Sequence, residues 1–203
     1  MVNCFCYRLY TLNIIILIMY KTIFLTYNRF NREARDFCAA LARELRERNV
    51  VVMMGSSYDL FNCLRGHKTY GLALSFSFYN DRGSGAGLML NKNCSSITRD
   101  FAYNLCNGID AIVPEIVWRN FDFVDSYDAN WYSAFNKVSA GVKAIFFLCT
   151  KNNPVEWDVY SAAREKIVKL FADEVVRCLR SNYSSENYRK RVAAAQLKLQ
   201  RNF

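Results

Sequence analysis

Apolar residues along this chain form short continuous runs that alternate with longer segments of helical periodicity. The clearest run is Ala144 to Cys149, which has the length of a strand and is followed by the turn residues Asn152, Asn153 and Pro154. A continuous run of this kind is typical of a strand buried on both faces of a sheet. Beyond the turn, apolar residues recur at helical spacing as far as Arg180. A buried strand that leads into a helix packed back across it is the unit of an α/β sheet.

The rest of the chain repeats this alternation. The predicted strands are Thr22 to Thr26, Val50 to Met54, Leu72 to Phe78 and Gly87 to Leu90. The predicted helices are Asn31 to Arg48, Tyr58 to Leu64 and Ser95 to the pair Asn107 and Gly108. Asn49 is a plausible stop for the first helix, and Gly108 for the third. We therefore expect a single α/β domain with a mainly parallel central sheet of about five to six strands and helices on both faces.

Three segments fit this alternation less well. Residues 1–18 are an apolar N-terminal extension; it is either untranslated, with synthesis starting at Met19, or an interfacial anchor or an added strand. Ile109 to Ala140 concentrates aromatic residues, and we interpret it as a loop-rich cover over the core, the alternative being an aromatic wall for sugars or bases. Residues 181–203 predict a basic C-terminal helix around Arg189 and Arg191. The α/β domain is assigned to residues 19–180.

Composition narrows the environment and the partners. The chain has 203 residues and a formal net charge of +9, which permits a nucleic-acid partner, bound through the basic tail. Its eight cysteines lack the spacing of a disulfide scaffold, so we expect free thiols and synthesis in a reducing cytoplasm. The apolar run from Leu12 to Tyr20 is shorter than the ~20 residues that cross a bilayer, and no transmembrane span is predicted.

Motifs for common chemistries are missing from the sequence. It contains no P-loop, no dinucleotide-binding glycine fingerprint and no nucleophile elbow. Its single histidine, His67, excludes the usual multi-histidine zinc centres. Cys63 and His67 stand four residues apart and would share a helix face, but without a nearby third ligand they are only a weak metal pair.

The order of elements resembles the zinc-dependent N-acetylmuramoyl-L-alanine amidases, a family of peptidoglycan hydrolases. Leu72 to Asn80 stands where that family has a strand closing in Ser-Ile-His-Ala-Asn, and the glycine-rich segment Gly83 to Leu90 follows it. Ala144 to Glu156 stands where the family has an apolar strand, a catalytic glutamate and then Gly-Phe-Leu-Ser-Asn-Pro. The similarity covers Lys21 to about Arg180, and Asn153-Pro154 is its best single feature.

The same resemblance implies that the catalytic residues are gone. Arg29 stands at the first zinc-binding histidine, Phe78 at the second and Phe147 at the catalytic glutamate, while Glu33 lies near the glutamate ligand. In such amidases zinc polarises the scissile carbonyl and activates a water, and the glutamate carries the proton. The resemblance thus implies a degenerate member without catalysis and without a cofactor. The ligand-binding candidates are Arg29, Glu33, Tyr79, Asn80 and Asn153.

We expect an amidase-like domain that binds peptidoglycan, or a protein partner in a larger cell-wall-targeting assembly such as a phage tail or lysin. Such a protein would be carried in a virion or act at the cell wall. One alternative is an active amidase in which Glu33, His67 or Cys149 converge as a non-standard zinc site. The other is a basic α/β protein that binds nucleic acid.

Overall fold

The computed structural model describes residues 22–56, 71–124 and 140–184. The elements in these ranges are β1 (Thr22–Tyr27), α1 (Arg32–Glu47), β2 (Val51–Ser56), β3 (Leu72–Tyr79), β4 (Ala86–Asn91), α2 (Ser96–Ile112), β5 (Trp118–Val124), β6 (Val142–Thr150) and α3 (Pro154–Ser184). The six strands form one sheet in the order β2-β1-β3-β6-β4-β5. Only the β4–β6 pair among them is antiparallel. The predicted α/β fold with a mainly parallel sheet is confirmed.

The direction of the strands decides which chain ends meet. β1, β2, β3 and β6 run parallel, and β4 and β5 run the opposite way. The C-terminal ends of the first four strands therefore share one edge of the sheet with the N-terminal ends of β4 and β5. We call this the carboxyl edge. It carries most of the sequence-predicted site residues.

Helix α1 begins and ends where its sequence signals predict. The Asn31 side chain accepts a hydrogen bond from the Ala34 backbone N–H at 2.9 Å, which satisfies one of the free donors of the first turn. Asn49, just beyond the last turn, has a φ of 61°, a left-handed conformation that asparagine tolerates and that ends helices. The apolar stripe between them, which includes Phe37 and Leu41, is fully buried.

Helix α3 packs against both α1 and α2 and against β6, so the three described helices form one layer on one face of the sheet. At the centre of the core the Phe76 ring lies 4.9 Å from Phe37, 5.1 Å from Phe171 and 6.0 Å from Phe146, measured between ring centroids. Aromatic pairs at such distances each contribute about 0.5–1.5 kcal/mol beyond the burial of their area. This cluster joins two strands and two helices.

The opposite face of the sheet is also buried near its centre. Phe24, Ala73 and Ile145 point away from the helix layer and are at most 2% exposed. Helices on both faces were predicted, and the described residues show helices on one face. The helix predicted at Tyr58 to Leu64, the N-terminal extension and most of the basic tail lie outside the described residues.

Two predictions differ from the structure, one about the end of a helix and one about a loop-rich stretch. Helix α2 does not stop at Gly108 but continues to Ile112, because Gly108 lies against Leu170 of α3, where a Cβ would come within 2.7 Å of the leucine Cδ1. The stretch that we interpreted as a loop-rich cover contains β5, which pairs in parallel with β4 and has a register shift at Arg119. No helix in the described part of the chain is long and apolar enough to cross a membrane.

Candidate functional site

The carboxyl edge is held together by hydrogen bonds between the chain ends of β3 and β6. The Lys151 backbone N–H donates to the Tyr79 carbonyl at 2.9 Å, and the Asn152 side-chain amide donates to the Asn80 carbonyl at 2.6 Å. Asn80 itself is exposed. The candidate residues Tyr79 and Asn80 are therefore fixed beside the turn that precedes α3.

Asn153 and Glu156 fasten the start of α3. The Asn153 side chain and carbonyl accept from the backbone N–H groups of Glu156 and Trp157, and Pro154 takes the first helical position, where no N–H is needed. The buried Glu156 carboxylate accepts from the Gly85 N–H at 2.6 Å and from the Thr150 N–H at 3.0 Å. The Asn-Pro pair that best supports the family resemblance thus has a local role as a helix cap.

Glu33, at the head of α1, forms an ion pair with Lys151. Burial opposes the charged form of this carboxyl, but the hydrogen bond and the positive charge of Lys151 outweigh it, so the pKa of Glu33 lies below its ordinary value. The Glu33 carboxylate is therefore charged and already paired with the Lys151 ammonium group. Arg29 is exposed at the same edge, and its guanidinium lies 4.6 Å from the centroid of the neighbouring Phe30 ring.

A stack of three side chains stands on the face opposite the helix layer. The Tyr79 and Phe147 rings are nearly parallel, at 9°, with centroids 4.4 Å apart. The Arg119 guanidinium carbon lies 3.6 Å from the centroid of the Tyr79 ring. Two guanidinium nitrogens of Arg119 donate to the two carboxylate oxygens of Asp81, at 3.0 and 2.6 Å. We call Tyr79, Phe147, Arg119 and Asp81 the arginine stack.

Glycines at alternate positions leave room for this stack. A Cβ at Gly83 would clash with the Arg119 guanidinium, and one at Gly87 would clash with the Tyr79 hydroxyl. Gly85, between them, has a φ of 106°, which L-residues rarely adopt, and it lies against the Val117 carbonyl. The glycine-rich segment predicted as a loop between two strands therefore lies against Tyr79 and Arg119.

Phe78 and Phe147, at the positions implied for a histidine ligand and the catalytic glutamate, are not brought together. Phe78 is 3% exposed and points into the helix layer, where its ring centroid lies 5.6 Å from that of Trp157 and 5.1 Å from that of Tyr160. Phe147 belongs to the arginine stack on the other face. The two side chains are thus separated by the sheet itself.

Zinc does not fit the residues described at this edge. Within residues 22–56, 71–124 and 140–184 no three His, Cys, Asp or Glu side chains are grouped so that they could hold a metal ion. Cys149 is buried, and burial together with the nearby Glu156 raises the pKa of its thiol to about 12, which disfavours the thiolate that zinc binds. The weak candidates Cys63 and His67 lie outside the described residues.

Sequence reasoning missed three residues of this edge: Asp81, Arg119 and Glu156. Asp81 and Arg119 are 38 positions apart, and their contact depends on β5, which the sequence did not reveal. The available signal was the spacing of Gly83, Gly85 and Gly87 before and within β4, since glycine often marks a site where other groups approach the backbone closely.

No family model and no curated protein matches the chain. Solved structures do resemble it. The catalytic domain of the CD27L endolysin, which targets Clostridia Difficile, superposes with a TM-score of 0.58 at 11% identity over 77% of this chain and 97% of that domain. The N-acetylmuramoyl-L-alanine amidase from Clostridium difficile 630 gives 0.56 at 11% identity, covering 82% and 98%. The amidase AmiC2 of Nostoc punctiforme gives 0.56 at 9% identity, covering 79% and 98%. The chain has the amidase-like fold.

Proposed function

We propose that this chain is an N-acetylmuramoyl-L-alanine amidase-like domain that binds peptidoglycan without hydrolysing it, as a binding or structural part of a cell-wall-targeting assembly. The fold supports the choice of ligand, because solved structures that cover most of this chain are named as amidases of N-acetylmuramoyl-L-alanine. The carboxyl edge, with its arginine stack and the exposed Arg29 and Asn80, is the proposed binding surface.

The observation that carries the proposal is the position of Phe78. Its ring is buried against Trp157 and Tyr160, and Phe147 stands on the opposite face of the sheet. An amidase needs a metal-bound water and a proton carrier at one point in space. The two glutamates described at this edge are already engaged, Glu33 with Lys151 and Glu156 with backbone N–H groups. We therefore assign no step of amidase chemistry to these residues.

Co-sedimentation with isolated sacculi tests the proposal. The full chain is incubated with purified peptidoglycan at moderate salt, and the pelleted fraction is compared for the wild type and two variants. Arg29→Ala removes an exposed cation at the carboxyl edge. Arg43→Ala removes an exposed cation from the middle of α1 and is the matched control. We expect the wild type to pellet and Arg29→Ala to pellet severalfold less, with Arg43→Ala unchanged.

The control separates recognition from general attraction. A protein held to the polyanionic wall only by its net charge would lose the same small amount of binding in both variants. Its binding to sacculi would also weaken as the salt concentration rises. Equal loss in the two variants, or no pelleting of the wild type, would contradict the proposal. Retention on DNA in place of sacculi would favour the nucleic-acid alternative.

A further inference from the structure

Arg119 is held in place before any ligand arrives. One face of its guanidinium lies on the Tyr79 ring, and Gly83 leaves the space that its terminal nitrogen fills. Its side chain is 24% exposed, so solvent still reaches part of it. A guanidinium fixed in this way loses little conformational entropy on binding and competes less with water for a partner.

Asp81, unlike Arg119, is not held in place by packing. It lies in the exposed segment between β3 and β4, and its side chain is 53% exposed. Besides the hydrogen bonds from Arg119, its carboxylate accepts a hydrogen bond from the Gly83 N–H at 3.0 Å. The hydrogen bonds from Arg119 lower the pKa of Asp81, so the carboxylate is charged at neutral pH. An ionised side chain in a solvated loop can return to water at small cost.

The geometry of the pair is the one that guanidinium groups use for carboxylates in general. Two nitrogens of Arg119 bind two oxygens of one carboxylate, side by side. A ligand carboxylate could make the same two bonds. Exchange would preserve the charge balance around Arg119 and release Asp81 to solvent. The same fork geometry also fits phosphate oxygens, but the group that Arg119 holds in this structure is a carboxylate.

We propose that Arg119 binds a carboxylate of peptidoglycan, and that Asp81 occupies the same guanidinium while no ligand is bound. This inference rests on the proposed function and deepens it by naming the chemical group that is recognised. Peptidoglycan offers that group in two places: the lactyl carboxylate of muramic acid wherever no peptide is attached, and the free carboxylates of the stem peptide. Both would form the same bidentate pair.

The experiment is a titration of the ¹⁵N-labelled full chain, followed by the amide signal of Gly83. N-acetylmuramic acid carries the lactyl carboxylate, N-acetylglucosamine is the matched sugar without it, and the dipeptide L-alanyl-D-glutamate represents the stem. We expect one or both carboxylate ligands to shift the Gly83 signal as its hydrogen bond to Asp81 is lost, and N-acetylglucosamine to leave it unchanged. The ligand that binds more tightly identifies the source.

Two substitutions test the competition. Asp81→Asn keeps the shape of the side chain but removes the charge, and should tighten binding of the carboxylate ligand about fivefold, the factor expected for loss of a competing exposed ion pair. Arg119→Gln should weaken binding at least tenfold. Arg82→Gln removes a neighbouring exposed cation and should change affinity less than twofold. Circular dichroism melting of each variant confirms that it is folded.

Unchanged or weaker binding by folded Asp81→Asn would overturn the inference, as would a shift of the Gly83 signal by N-acetylglucosamine as large as that caused by the carboxylate ligands. If sacculi still pellet the wild type while no carboxylate ligand shifts Gly83, the inference fails and the proposed function stands. If sacculi do not pellet the protein, the proposed function itself fails. A tighter Asp81→Asn together with a weakened Arg119→Gln supports both.

Discussion

Phe78 is a residue whose surroundings leave little room for polar chemistry. Its ring is 3% exposed at the end of β3, between the rings of Trp157 and Tyr160. A polar ring there would leave water and face aromatic carbon on two sides, which costs free energy unless a hydrogen-bond partner is supplied. The position implied for a zinc-binding histidine is, in this chain, part of the hydrophobic core.

Phe78→His should therefore destabilise the protein without creating a metal site. We expect the free energy of unfolding to fall by about 2–4 kcal/mol, from lost aromatic packing and from burial of the imidazole. Urea denaturation, with and without zinc, measures it. Phe30→His is the matched control, because Phe30 is 79% exposed, and it should change stability by less than about 0.5 kcal/mol. Stabilisation of Phe78→His by zinc would contradict this account.

The Glu33–Lys151 pair makes a prediction about acid stability. Because the folded protein holds the pKa of Glu33 below its ordinary value of 4.5, the unfolded chain binds the proton more readily. The stabilisation is complete above that ordinary value and is lost as the pH falls through the lower pKa of the folded state. Glu33→Gln removes this contribution, while every other titrating group is common to both proteins.

We expect the difference in unfolding free energy between wild type and Glu33→Gln to be constant at neutral pH and to shrink as the pH falls below 4.5. Urea denaturation at a series of pH values measures it. A side chain that is 26% exposed is partly screened by solvent, so the difference at neutral pH should be no more than about 1 kcal/mol. A difference that grows on acidification would show that the pair does not stabilise the fold.

Among the helices and strands, those with strong local signals were predictable from the sequence. β6 was recognised from its continuous apolar run, and α1 from its helical apolar periodicity and its stop at Asn49. β5 was missed because Arg119, Asn120 and Asp122 interrupt its apolar residues, a pattern that an edge strand tolerates but that does not stand out in a sequence. The arginine stack depends on β5 and was missed with it.

The end of α2 was mispredicted for a different reason. Asn107-Gly108 is a typical helix stop, but tertiary packing overrides it, since the missing side chain of Gly108 lets Leu170 of α3 approach the helix backbone. Sequence alone does not show that contact. The glycine serves helix packing instead of helix termination.

A double-mutant cycle tests this explanation. Gly108→Ala should lower the free energy of unfolding by about 1 kcal/mol, because overpacking against Leu170 outweighs the better helix propensity of alanine. In a Leu170→Ala background the same substitution should raise it by about 1 kcal/mol, because only the propensity term remains. Thermal or urea denaturation of the four proteins gives the coupling. Equal effects in the two backgrounds would contradict the packing role.

For the molecule as a whole, fold and chemistry are carried by different residues. The aromatic cluster around Phe76 and the cap of α3 at Asn153 and Glu156 support the amidase-like sheet and its helix layer. We assign no step of amidase chemistry to these residues. The fold was therefore predictable from apolar pattern and element order, whereas the site depends on single side chains whose neighbours are set by tertiary structure.

We propose that this amidase-like domain binds peptidoglycan and does not cleave it. The most direct measurement is metal content together with release of peptide from isolated sacculi, on the purified 203-residue chain incubated with zinc. We predict no stoichiometric zinc and no released peptide from a protein that remains folded by circular dichroism. Stoichiometric zinc with peptide release would contradict the account and would mean that a working metal site is assembled from residues outside those described.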